Sequence, residues 1–142
     1  MTKTIGDAVM AAFSTPADAV RAALEMREAV EDLNRDRPQR DFILKVGMHK
    51  GAAIAVTLNE RPDYFGQTVN IAARVENLAG GDEICLSEDV YDAPDVAGIL
   101  APFAARSDRD RIEGSRSAYA HLFCRPRLCA PLSAKARSAG EA

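Results

Sequence analysis

Hydrophobic positions change period several times along this chain, and each change marks an element. Ala19, Ala23, Met26, Val30 and Leu33 recur at steps of four and three, one face of an amphipathic helix, with Arg21, Glu25, Glu28 and Asp32 largely off that face. Thr15 reads as the N-cap, Pro16 as the first helical residue and Asp18 as the capping-box acid, while Pro38 closes the connection that follows. Ahead of this helix, Thr4-Ile5, Gly6-Asp7 and Ala8 to Phe13 read as strand, tight turn and strand. Behind it the period falls to two. Phe42, Leu44, Val46 and Met48 alternate with Ile43, Lys45, Gly47 and His49, which predicts a strand with one richly apolar face. Gly51 permits a turn into Ala52 to Val56, read as that strand's antiparallel partner, and Asn59 to Asp63 reads as loop.

A second helix is predicted from Gly66 to Leu78, with Gly80-Gly81 as its stop. Ile84-Cys85-Leu86 reads as a short buried strand, Ser87 as the cap of a brief helical turn through Val90-Tyr91, and Ala118 to Phe123 as the last strand. Beyond it, Arg, Ala, Ser and Pro predominate, so residues 125–142 are expected to form a disordered tail and residues 1–124 the domain. The element order, with short connections, predicts an α+β sandwich: a mainly antiparallel sheet with helices on one face.

Composition narrows the function classes. The 142 residues allow one domain with a modest core, and 47% hydrophobic with 27% charged residues is the balance of a soluble globular protein. A net charge of -3 argues against nucleic acid as a partner, and exposed strand aromatics for an RNA-binding sheet are lacking. No apolar run approaches a membrane span, and Lys3, Gly6 and Asp7 interrupt any apolar leader. Cys85, Cys124 and Cys129 form no CxxC pair, and an odd number of cysteines without a secretion signal favours reduced thiols and a cytoplasmic location.

Candidate chemistry concentrates in Lys3-Thr4-Ile5-Gly6-Asp7 and in Asp63-Tyr64-Phe65-Gly66-Gln67-Thr68-Val69-Asn70-Ile71-Ala72-Ala73-Arg74. Asp7 stands at a hairpin tip, where a carboxylate can meet a hard divalent cation or merely satisfy turn amides. Asn70 and Arg74 are four apart on a predicted helix, so an amide and a guanidinium share a face; by themselves they also read as an exposed polar pair. Lys3 and Asp63 pair an ammonium with a carboxylate, matching adenine's N1 acceptor and exocyclic amine donor. Guanine inverts that pattern. Lys3 alone, so close to Met1, also reads as a terminal charge. His49 and His121 have no constellation around them, and His49 reads as a locally satisfied strand-end residue. Gly80-Gly81-Asp82-Glu83 is similar to the diguanylate cyclase signature without its final Phe, but here the glycines end a helix, so that reading is rejected.

The two segments together resemble the class III adenylate/guanylate cyclases, and the similarity runs from Lys3 to about Tyr91. The resemblance implies a nucleotide cyclase sandwich of ferredoxin-like kind that converts ATP, in preference to GTP, to cyclic AMP and pyrophosphate with Mg²⁺ or Mn²⁺. It casts Asp7 as a metal ligand, Asn70 as the ribose-orienting residue and Arg74 as the stabiliser of the transition state. Lys3 and Asp63 become the purine selectors. It also implies a homodimer, or pairing with another cyclase domain, because the family's sites form between two domains. The family's first strand, with the first metal aspartate, and its next two helices have no counterpart before Lys3, so the expectation is an N-terminally truncated domain. The alternative is a catalytically inactive half-domain or remnant that only pairs with another cyclase chain.

Overall fold

The computed structural model describes residues 2–58, 61–103 and 119–122. Strands β1 (Thr2–Ile5) and β2 (Ala8–Ala11) form an antiparallel hairpin in which Ile5 faces Ala8 across Gly6-Asp7. Gly6 has φ +62°, and a positive φ at the first central position is what glycine supplies to a two-residue hairpin turn. Helix α1 (Pro16–Arg35) begins as its sequence requires: the Thr15 hydroxyl oxygen accepts from the Asp18 amide at 3.2 Å, and Pro16 occupies the first turn.

Strand β3 (Lys45–Met48) is shorter than its alternation predicts. The Asn34 side chain takes both backbone groups of Phe42, donating to its carbonyl at 2.8 Å and accepting from its amide at 3.1 Å. Asp82 accepts from the Leu44 amide at 3.3 Å. Side chains thus occupy the groups a ladder would need, and residues 41–44 stay irregular with Phe42 and Ile43 exposed. The partner of β3 also differs from expectation. Strand β4 (Ile54–Leu58) pairs antiparallel with β5 (Arg61–Phe65), so Asp63 lies in a strand and not in a loop. Strand β3 instead lies parallel to β6 (Glu83–Ser87), which pairs antiparallel with β7 (Tyr119–Leu122). The pairing is mainly antiparallel, with one parallel junction bridged by helix α2 (Gln67–Leu78).

Every residue of β6 is buried. Ile84 and Leu86 join Val20, Ala23 and Leu24 of α1, Met48 of β3, Val90 of α3 (Glu88–Tyr91), and Val96 and Leu100 of α4 (Val96–Leu100). Cys85, of opposite parity, packs with Ile71, Val75 and Ala79 at α2. The class is α+β as expected, but around β6 the helices divide between both sheet faces. Full burial of a side chain such as Leu86 stabilises by about 1.5–3 kcal/mol.

Helix α1 buries only the first part of the stripe its spacing suggested, Ala23 in the core and Ala19 against it. Ala17, Val20, Ala23 and Leu24 are buried, whereas Met26 is 43% and Leu33 55% exposed. Helix α4, which the sequence reading did not foresee, packs on α1 and covers its first half only. Twenty helical residues span about 30 Å, so the second half runs past that cover. The Cys124 and Cys129 thiols and the tail at 125–142 lie outside the described residues.

Candidate active site

The five candidate residues fall on two separate pieces of structure. Lys3 lies in β1 opposite Met10, with its side chain outside the described part. Asp7 is exposed in the turn, and its carboxylate makes no hydrogen bond or ion pair with a described residue. The other three residues share one run of chain. Strand β5 ends at Phe65, Gly66 turns the corner with φ +131°, and α2 starts at Gln67 without an intervening loop. That φ suits glycine and strains any other residue. Asp63 is half-buried three residues before the corner, and its Oδ1 accepts from the Tyr64 amide at 2.9 Å, which fixes the carboxylate against its own strand.

Asn70 and Arg74 are exposed one turn apart on α2, while Ile71 and Val75 face the Cys85 layer. An amide and a guanidinium on a helix docked through its opposite, buried face present neutral and charged donors in fixed register, suited to a sugar oxygen and a phosphoryl oxygen. Asp63 and Arg74 are both engaged with other groups of the chain. Among the described residues no sheet pairing joins the Lys3–Asp7 hairpin to β4–β5.

Asp7 offers the hard oxygen a Mg²⁺ or Mn²⁺ ion prefers, but only one such group. Among the described residues no cluster of three or more His, Cys, Asp or Glu side chains could hold a metal, so these residues do not complete a site. The donor type fits and the donor number does not.

Three further groups clarify what is structural. His49, half-buried at the end of β3, has Nδ1 3.0 Å from the Ser87 hydroxyl and 4.0 Å from an Asp89 oxygen. Burial pushes its pKa below the ordinary 6.5, and the Asp89 carboxylate opposes that in part. Ser87, expected as a helix cap, makes no side-chain cap bond and serves His49 instead. Cys85 is buried, and desolvation together with the Glu83 charge raises its thiol to about 11, against a smaller opposing hydrogen bond from the Leu86 backbone. The Gly80-Gly81-Asp82-Glu83 segment holds structure: Glu83 accepts from the Gly80 amide at 2.6 Å, and Asp82 pairs with Arg40 at 2.9 Å.

Sequence reasoning missed the residues that set the height of α2. A Cβ on Gly47 would lie 2.1 Å from the Glu76 backbone nitrogen, and one on Gly51 would lie 2.5 Å from the Thr68 hydroxyl. For Gly47 the signal was present, since a glycine inside a strand pattern marks close backbone approach.

This fold and this strand–corner–helix define a nucleotide-cyclase-like domain. The sequence matches the adenylate and guanylate cyclase catalytic domain family over residues 1–118, and the chain belongs to that family. It is 34% identical over 91 residues to a putative adenylate cyclase 3 of Rhizobium meliloti (strain 1021), covering 63% of this chain and 15% of that protein. It is 33% identical over 106 residues to a pH-sensitive adenylate cyclase of Mycobacterium tuberculosis, covering 72% of this chain and 24% of that one. The chain thus spans a quarter or less of the length of these two relatives. A solved adenylate/guanylate cyclase/hydrolase from Silicibacter pomeroyi superposes with a TM-score of 0.65 at 26% identity, over 84% of this chain and 68% of that one. The catalytic core of a rhodopsin-guanylyl cyclase with converted specificity, in complex with ATPαS, superposes at 0.62 with 25% identity, over 84% and 67%.

Proposed function

We propose that this chain acts on ATP, in preference to GTP, and forms cyclic AMP and pyrophosphate. The ribose 3'-oxygen attacks the α-phosphorus as the bond to the bridging oxygen of the β-phosphate breaks, and the 3'-hydroxyl proton leaves to solvent or base. The observation that carries this reading is the placement of Asp63, Asn70 and Arg74 on one strand–corner–helix, with the last two on a single exposed face. Asn70 holds the ribose oxygen, and Arg74 neutralises charge that grows on the α-phosphoryl oxygens, an interaction strongest in the transition state. Asp63 and Lys3 read the adenine edge.

Family membership supports a divalent metal, Mg²⁺ or Mn²⁺, with Asp7 supplying one oxygen and the remaining ligands coming from outside the described residues. When bound, such an ion neutralises phosphate charge. A second copy or another cyclase domain would complete the site, within a domain of residues 1–124 in the cytoplasm.

The test is cyclic nucleotide formation from ATP and from GTP by the purified chain with Mn²⁺ or Mg²⁺, alone and mixed with an intact cyclase domain. Turnover that Asn70→Ala and Arg74→Ala both leave intact would sink the site assignment. Exchanging Lys3 for Glu and Asp63 for Cys should move preference towards GTP, and an unchanged ATP/GTP ratio contradicts the selector role. Because Asp7 has no described acid beside it, a second reading stands: the chain lends residues to a partner and has no turnover of its own. Activity appearing only in the mixture selects it.

A further inference from the structure

We infer that Thr68 is a positioning residue: its hydroxyl clips the first turn of α2 to the loop after β3 and so sets where Asn70 and Arg74 stand. Thr68 is the second residue of α2. Its Oγ1 donates to the carbonyl oxygen of Ala52, sixteen residues earlier, in the segment joining β3 to β4. Gly51 leaves the room for this contact, because a Cβ there would fall 2.5 Å from that hydroxyl. Gly66 at the N-cap has no side chain to bond with, so the helix start lacks the usual side-chain cap.

A second fixed point lies two turns further on. Gly47 of β3 abuts the Glu76 backbone so closely that a Cβ would sit 2.1 Å from its nitrogen. The Lys45–Glu76 ion pair beside it, at 3.9 Å and half-exposed, adds little. Thr68 and Glu76 bracket Asn70 and Arg74. The far end is held by shape, and at the near end the hydrogen bond fixes the turn that precedes the buried Ile71. Breaking that bond loosens the first turn, which leads into Asn70, while Ile71, Val75 and Cys85 keep the helix docked.

The catalytic consequence rests on the function proposed above, whereas the clip itself does not. Thr68→Val keeps the shape and removes the hydroxyl, and Thr68→Ser keeps the hydroxyl. In the full chain, amide hydrogen exchange across 67–78 should quicken at residues 70–72, whose amides bond to carbonyls of the first turn of α2, for Thr68→Val and return to wild-type rates for Thr68→Ser. In the Mn²⁺-ATP assay, run with the partner domain if activity needs it, Thr68→Val should lower kcat about tenfold or more with KM little changed, and Thr68→Ser should restore it. Gly51→Ala, which crowds the same hydroxyl from the other side, should quicken exchange at the same residues and guards against misfolding of the valine variant. Wild-type exchange in Thr68→Val, or equal defects in the serine and valine variants, overturns the clip. Absent turnover in every protein, with the exchange pattern as expected, refutes the proposed function and leaves the clip standing.

Discussion

Replacing Gly47 with alanine puts a methyl carbon where the backbone of α2 already lies. The new Cβ would sit 2.1 Å from the Glu76 nitrogen, 2.4 Å from its Cα and 2.6 Å from its Cβ. Ordinary non-bonded separations are about 3.5–4.0 Å, so either strand or helix must retreat by roughly 1 Å or more. Strand β3 is paired along its length with the fully buried β6, and Met48 is anchored in the main core. Helix α2 is the freer partner. Overpacking of this kind costs about 1–3 kcal/mol, which lowers the melting temperature of a small domain by roughly 5–15 °C. The effect on turnover should be larger, because misplacing catalytic groups by about 1 Å can cost about a hundredfold in rate. Gly98 in α4 is the control: its added Cβ meets nothing within 4 Å, and alanine there should raise stability by about 0.5–1 kcal/mol. Thermal melts and Mn²⁺-dependent cyclic AMP formation measure both. A Gly47→Ala protein that melts and turns over like wild type would refute the close-packing argument.

Other expectations follow from the same geometry. Arg74→Ala and Asp7→Ala change exposed residues, so each should leave the melting temperature within a few degrees while abolishing cyclic AMP formation; circular dichroism melts beside the activity assay separate the two effects. Because burial lowers the His49 pKa below 6.5, the unfolded chain binds more protons than the folded one just below that pH. This contribution to stability is full above pH 6.5 and is lost as pH falls through the window beneath it. Urea midpoints against pH should show that slope, and His49→Gln should flatten it. Cys85, with its thiol raised to about 11 and buried, should resist iodoacetamide at neutral pH in the folded protein and react once unfolded, read by peptide mass spectrometry.

Local signals were legible wherever a few neighbouring residues decide the backbone. Thr15, Pro16 and Asp18 started α1 where the caps say, Gly6-Asp7 made the hairpin turn, and Gly66 opened α2. The candidate residues were legible for a related reason. Asn70 and Arg74 are neighbours by helical period alone, and Asp63 is tied to them by a single glycine corner. What failed was pairing and cover. The alternation at 42–48 suggested a longer strand with β4 as its partner, yet Asn34 and Asp82 take the backbone groups of its first half and β6 supplies the pairing. Periodicity names an apolar face without naming what lies against it, which is why the α1 stripe was placed by spacing and buried by α4.

The sequence by itself determined the first hairpin, the starts of the two long helices and the polar groups proposed to meet a nucleotide, because propensity, capping and period act over a few residues. Tertiary structure alone decided which strands pair, which half of α1 is covered and how closely α2 approaches β3. Those depend on contacts such as Gly47 with Glu76, Thr68 with Ala52 and His49 with Ser87, between residues 16 to 38 positions apart. Such contacts repay the entropy of ordering the chain only when the whole packing forms at once, so no local pattern announces them.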